Sequence, residues 1–441
     1  MIHTLHAPLP RRQFLTTLLA AGGAWAAPWA RAQNKDAGDS GRLVIVFLRG
    51  AYDGLSAFVP HGDRAYYALR PNIAIPAPDG SAQTTLRLDD SFGLHPALAP
   101  LLPLWQQGVL AVIPAAGSPD ASRSHFDAQH HWEIGIPGSS SAISGWLNTL
   151  AGLRGTDHAA VVPAGGHDAA ATGDSPHALA LGVGEANPQI LSGNAPVQLV
   201  PRGQAATRQG AMGDARTREV MLKLYAGQDS LSQAFRAGAE SRMQTAQTLS
   251  AEMSDPGLAA QEMQAANNGA GSAQGLLLDA QHLGTLMRQD RRLRLGFLSA
   301  GGWDTHANQG AATGALGNNL GNLAAAMVQL RRDFSQPHDV VVVCSEFGRT
   351  SAENGTRGTD HGHGNAMWLL GNRVNGGRWH GQWSGLAQGH LHEGRDLPVH
   401  HDFRAVFAQV LQSTQGLNHA GVDRLFPGFA RDSALDGLMR S

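Results

Sequence analysis

The chain has 441 residues, of which 42% are hydrophobic and only 15% charged, with 55 glycines and a formal net charge of −2. That is long enough for one large domain or two ordinary ones, with a sizeable buried core and long glycine-rich connections. A chain this weakly charged is a poor match for nucleic acid or an anionic membrane surface, since both are held mainly by Lys and Arg. With Cys344 as the sole cysteine, an intramolecular disulfide is excluded.

The N-terminus reads as an export signal over residues 1–32. Arg11 and Arg12 stand side by side before the apolar stretch Phe14 to Ala27, and Ala30 and Ala32 form a small-residue cleavage pattern. Adjacent arginines point to the twin-arginine route and so to that export machinery as a partner, with an ordinary secretory signal as the minority reading. The apolar stretch is short for a membrane span of about 20 residues, so no stable membrane insertion is expected after cleavage. The expected destination is the periplasm or the exterior. Removing residues 1–32 takes three arginines and no acidic residue, so the charge falls to −5. Export in the folded state would also explain how the protein does without a disulfide in an oxidising compartment.

From residue 33 to 441 a single α/β domain is expected. Leu43 to Leu48 is an unbroken apolar run, the pattern of a strand buried on both faces. Val109 to Ile113, a segment near Leu293 to Leu298, Val340 to Val343 and Ala366 to Leu370 repeat the design. Between the third and fourth runs, Leu316, Leu320, Leu323, Met327 and Leu330 recur at steps of three and four, which is one helical stripe. Strand, helix, strand implies a parallel crossover. Phe403, Val406, Phe407, Val410 and Leu411 predict a last amphipathic helix. The segment at about 156–275 is rich in Ala, Gly and Asp, then helical, and is expected to be a partly helical inserted cap.

Polar residues follow the expected strands in turn. Asp53 comes after the first, Ser122, Ser124, His125 and Asp127 after the second, Asp304 and His306 after the third, and Glu346 and Arg349 after the fourth. Loops at the carboxyl edge of a parallel sheet converge, so these groups should share one crevice. Asp360, His361 and His363 precede the fifth strand, between Gly358, Gly362 and Gly364. They require a loop folding back over that edge, and the glycines are expected to supply permissive backbone. Three such residues in four positions indicate either a metal or a buried polar network. Carboxylate and imidazole suit a divalent ion, Zn²⁺ or Mn²⁺ above all. Asp304 and His306, two apart, lie on one side of an extended segment; otherwise Asp304 caps a helix and His306 is a loop histidine. Ser124 also reads as a helix N-cap.

The motifs "RGAYDGLSAFVP", "SRSHFDAQHHWE", "GGWDTHANQ", "CSEFGRT", "GTDHGHGNAMWLLG" and "DFRAVF…LFPGF" resemble domain of unknown function 1501, in that family's order and over the whole mature chain. The family is similar to the alkaline phosphatase and sulfatase superfamily. The resemblance implies a three-layer α/β/α sandwich with a mainly parallel sheet, one or two divalent metals, and a hydroxyl nucleophile acting on a phosphate or sulfate ester of a small molecule or polymer. Carried over by position, Asp53, Asp304, His306, Glu346, Asp360, His361 and His363 are implied metal ligands. Ser124, or Ser122, is the implied nucleophile. His125 would orient the serine or protonate the leaving group. Arg123 and Arg349 would be anion-binding forks, unless they are simply solvated. Phe347 stands where the superfamily has a ligand and cannot ligate, which weakens the case for a second metal. Cys344 lacks the C-x-P-x-R surroundings of a formylglycine sulfatase. A non-catalytic binding or assembly protein with one structural metal is the alternative, and a metal-dependent amidase or deacetylase a third.

Overall fold

The structure is a computed structural model, described here over residues 41–139, 141–159, 178–185, 187–207, 214–252 and 270–440. The expected signal peptide, residues 33–40 and parts of the 156–275 segment lie outside these. In chain order the strands are β1 (Leu43–Leu48), β2 (Phe58–Val59), β3 (Leu86–Arg87), β4 (Gly93–Leu94), β5 (Leu110–Gly117), β6 (Ala180–Gly184) and β7 (Val197–Pro201). They continue with β8 (Gly271–Ser272), β9 (Leu295–Gly301), β10 (Val340–Cys344), β11 (Asn365–Gly371), β12 (Arg378–Trp379) and β13 (His401–Asp402). The main sheet runs β12-β5-β11-β10-β1-β9-β6-β7, with β13 beside β5 and β8 beside β9; β2, β4 and β3 form a small separate sheet.

The apolar run of β1 lies at the centre, parallel to both β9 and β10, with Ile45 opposite Phe297 on one side and Val342 on the other. Its side chains alternate between two cores, as the period of two requires. Val44, Val46 and Leu48 face one core, which also holds buried residues of α3 (Leu276–Gln289) and α4 (Ala315–Asp333). Leu43, Ile45 and Phe47 face the other, shared with α1 (His125–Ile134), α2 (Trp146–Ala159) and α5 (Phe403–Gln415). Helices therefore cover both faces of a mostly parallel sheet: this is an α/β fold, with three layers. The expected stripe on α4 is its buried face. Truncating one of those leucines to alanine costs about 2–5 kcal/mol, because the close-packed layer cannot collapse into the gap. On the opposite side Trp132 stacks on Phe403 at 4.9 Å and meets Phe47 edge-on at 4.8 Å.

Two features depart from the expected arrangement. First, β11 is antiparallel to both β10 and β5. Second, the segment expected as an insertion holds helices at Ala215–Leu224 and Ser230–Glu252, but also supplies β6 and β7, which pair in parallel beside β9 and widen the main sheet. Their sequences, ALGVG and VQLVP, are short and interrupted by Gly and Pro, so no apolar run announced them.

Candidate metal centre

The carboxyl ends of β1, β5, β9 and β10 all open at one edge, and the reversal of β11 brings the residues before it to the same edge. Asp304 and His306 follow β9, Glu346 and Arg349 follow β10, and His125 begins α1 after β5. Gly50, just past β1, has φ +111°, and a Cβ there would lie 2.7 Å from the Asp304 amide nitrogen, so only glycine allows this approach. The glycines around the Asp-His-x-His motif act differently from expectation: none needs a left-handed φ. A Cβ on Gly358 would lie 2.3 Å from His306 C, one on Gly362 2.5 Å from Arg349 C, and one on Gly364 2.2 Å from Pro398 O. They are required by close packing of the backbone.

Three imidazoles meet at this edge. His361 Nε2 lies 2.9 Å from His125 Nε2, 3.1 Å from His306 Nε2 and 3.2 Å from Asp304 Oδ1. Asp304 Oδ1 is also 2.9 Å from His306 Nε2, and its Oδ2 is 3.5 Å from His125 Nε2. Ligand atoms of His125, Asp304 and His361 lie mutually within 4.8 Å, close enough to surround one ion.

What stands behind each ring fixes which nitrogen can donate an electron pair. His361 Nδ1 is 2.9 Å from the Arg123 carbonyl oxygen, which can only accept, so Nδ1 carries the hydrogen. His125 Nδ1 likewise meets Glu346 Oε1 at 2.8 Å, and His306 Nδ1 meets Asp360 Oδ1 at 3.0 Å. With Nδ1 carrying the hydrogen, each ring in its neutral form would present the Nε2 lone pair to the common point, and a carboxylate or carbonyl behind a ligating imidazole is the usual way of fixing its tautomer. The Phe347 ring stacks on His125 at 4.9 Å and lies 5.2 Å from His361, bracing both planes.

The electrostatics favour a cation at this point. Burial pushes the His125 imidazole down, but hydrogen bonds to Asp304 and Glu346 and the charges of both outweigh it and raise its pKa to about 9. Burial pushes Asp304 up, yet hydrogen bonds from His125, His361 and Arg349 hold it far below the usual carboxylate range. The donor set of imidazole nitrogens and one carboxylate fits Zn²⁺ or a similar divalent ion. Side-chain exposures of 44% for His306 and 35% for Asp304 leave one side open to solvent.

The remaining expected residues have other positions. Asp53 is buried in an ion pair: Arg70 Nη1 is 2.6 Å from Oδ2 and Nη2 3.1 Å from Oδ1, while Ser56 and Gln309 also donate to Oδ2. Its oxygens are consumed, so it is no ligand here. Glu346, fully buried, accepts from the Gly50 amide, Gln129 and Ser345 as well as His125, so its oxygens are taken up in holding that ring. Asp360 does the same behind His306. His363 turns away and packs on His392, with ring centroids 4.5 Å apart. Ser124 caps α1, accepting from the Asp127 amide at 3.4 Å, and Ser122 accepts from the Ser124 amide at 3.3 Å. Both His125 nitrogens are engaged within the cluster, which leaves neither to act on the serine. Nor are the arginines free anion forks. Arg349 bonds Asp304 and Thr359, and Arg123 bonds Glu393 and Asp396. Gln129, one helical turn after His125 and also bonded to Glu346, was not anticipated; its i, i+4 spacing from His125 was the available signal.

The family described as "Protein of unknown function (DUF1501)" matches residues 40–426. The chain belongs to that family. No curated protein sequence matches it. Among solved structures it is similar to an alkaline phosphatase from the Antarctic bacterium TAB5, at 10% identity and a TM-score of 0.35, covering 86% of this chain and 100% of that one.

Proposed function

We propose that this member of the DUF1501 family is an exported metal-dependent hydrolase acting on a phosphate or sulfate ester, borne by a small molecule or a polymer. The observation that carries the reading is the convergence of His125, His306 and His361 Nε2 on Asp304, with a solvent-facing side. A structural metal site is normally closed by four protein ligands, whereas a catalytic one keeps a position for substrate. His125, Asp304 and His361 would hold the ion, with His306 beside them. A divalent ion there supplies Lewis-acid charge to an ester oxygen. The consumption of Asp53 by Arg70 favours one ion per chain over two.

The chain's own groups then have distinct tasks. Glu346, Asp360 and the Arg123 carbonyl orient the imidazoles. Ser124, immediately before His125, is the nucleophile in this reading; its capping bond is long at 3.4 Å and easily released. Arg349, buried and 2.6 Å from Asp304 Oδ1, holds that carboxylate in position. Arg11 and Arg12 support twin-arginine export to the periplasm or beyond. Among the described residues no helix is long and apolar enough to cross a membrane.

A second reading, a non-catalytic binding or assembly protein holding one ion, draws support from the capping role of Ser124 and from the engagement of both arginines. Metal analysis of purified protein and a panel of aryl phosphates, phosphodiesters and sulfates separate the two. The hydrolase reading expects about one divalent ion per chain, and turnover lost in Ser124→Ala with the metal retained. Equal loss in Ser122→Ala alone would move the nucleophile. A metal-loaded wild type inert on the whole panel favours the binding reading, and protein that takes up no metal ends both.

A further inference from the structure

His361 is the hub of the cluster, yet the group that fixes its tautomer is a backbone carbonyl on an irregular segment, Ser118 to Ser124, between β5 and α1. A carbonyl on such a segment orients a ligand only if something else fixes the segment. We propose that Asp396 is a positioning residue for the metal site, acting on His361 through two arginines. This inference rests on the metal reading above and names a residue that reading does not use.

The Asp396 carboxylate is fully buried. Its Oδ2 accepts from Arg123 at 2.7 Å and from Arg395 at 3.1 Å, and Arg395 Nε lies 3.0 Å from Oδ1. Each arginine then touches His361 from a different side. The Arg123 carbonyl accepts from His361 Nδ1 at 2.9 Å, and the Arg395 guanidinium donates to the His361 carbonyl at 2.9 Å. One buried carboxylate therefore ties the ring and the backbone of the same ligand to one anchor.

The anchor is itself rigid. His392 and Asp396 exchange backbone hydrogen bonds at 2.8 and 3.1 Å across a tight turn with Glu393 at φ 53° and Gly394 at φ 67°. Asp396 also bridges Thr350, whose amide bonds the Asp360 carbonyl in the ligand loop. Arg123 is long and partly exposed, and without the carboxylate its side chain gains rotamer freedom that the preceding segment shares. His361 would then lose alignment before the sheet beneath it lost any packing.

Co²⁺ titration of purified protein, followed by visible absorption, tests this. Asp396→Asn is expected to weaken Co²⁺ binding about 10- to 100-fold, the range for a group that orients a ligating histidine, and to change the intensity of the Co²⁺ bands. Asp339→Asn is the control. It breaks the Arg42–Asp339 pair at the opposite edge of the sheet, 2.6 Å long with Asp339 buried, so it should lower stability and leave the Co²⁺ dissociation constant within about twofold. If Asp396→Asn does not fold, Arg395→Met, at a side chain 43% exposed, removes the donor to the His361 carbonyl and should weaken binding about tenfold. An Asp396→Asn protein that is folded and binds Co²⁺ like wild type overturns the proposal, as does equal weakening in Asp339→Asn. Wild type that binds no Co²⁺ overturns the metal reading together with this one; normal wild-type binding with unaltered variants overturns this one alone.

Discussion

Substituting Asp53 by Asn separates the two roles this residue can have. Strand-end position makes it a metal ligand; the observed contacts make it half of a buried ion pair. Asp53 is 1% exposed and Arg70 fully buried, with contacts at 2.6 and 3.1 Å. Burial pushes the Asp53 carboxyl up, but the Arg70 charge and its hydrogen bonds win and hold it below the usual range. Asparagine keeps the shape and removes the charge, leaving a guanidinium without its counterion in a site closed to water. Breaking a buried pair from one side costs about 3–5 kcal/mol, or two to four decades in the unfolding equilibrium at about 1.4 kcal/mol per decade. Urea unfolding followed by tryptophan fluorescence reads that loss directly, and metal analysis of the same sample should still find about one ion per chain. Replacing both partners with apolar residues, Asp53→Leu with Arg70→Met, should recover much of the loss, because no unpaired charge remains. Loss of the ion in Asp53→Asn without a large drop in stability would refute the assignment and restore Asp53 as a ligand.

Two further outcomes follow from the same contacts. Glu346→Gln keeps an acceptor near Gly50 and Gln129 but removes the carboxylate behind His125, so Co²⁺ affinity should fall about 10- to 100-fold; a titration that matches wild type would deny Glu346 its orienting role. His282, buried on α3, is pushed down by burial to about 4. Its folded pKa lies below the unfolded value of about 6.5, so its contribution is present above pH 6.5 and is lost as pH falls toward 4. The loss reaches up to about 3 kcal/mol by linkage. Urea midpoints at pH 7.5 and 4.5 should differ less in His282→Gln than in wild type, and an equal difference in both would remove His282 as the cause.

Much of the fold was legible because burial on both faces forces continuous apolar runs. Leu43 to Leu48 and Val340 to Val343 read as central strands, and the α4 stripe read as a core helix. The pairing of β6 and β7 was not legible, since a five-residue strand interrupted by Gly and an edge strand ending in Pro carry no such run. At the site, the residue types and strand ends predicted one shared crevice: His125, Asp304, His306, Glu346, Asp360 and His361 lie together there, whereas Asp53 pairs with Arg70 and His363 packs on His392. Spacing could not assign their roles. Whether an acid ligates or orients depends on which nitrogen it faces, and that is set in part by the Gly50 amide, which donates to Glu346, and by Asn354, whose side chain donates to Asp360 Oδ1 at 3.0 Å, neither with a signature of its own. The fate of Asp53 was hidden similarly: Arg70 is the C-cap just after a short helix, Arg64–Leu69, whose sequence, RAYYAL, advertises nothing.

The direction of β11 decides whether the site exists at all. Its sequence, NAMWLLG, is compatible with either direction, because a strand buried on both faces has the same composition each way. In a parallel orientation the residues before the strand would open at the opposite edge. Seven residues at about 3.3 Å each would then put His361 roughly 20 Å from Asp304, not the 3.2 Å observed. The antiparallel pairing with β10 and β5 turns a loop that precedes a strand into a neighbour of loops that follow strands. Glycines at 358, 362 and 364 then let that loop lie directly against the backbone of His306, Arg349 and Pro398. Strand direction, glycine packing and the three acceptors behind the imidazoles are separate constraints, and a chain with no use for the converging Nε2 atoms has no reason to meet all three.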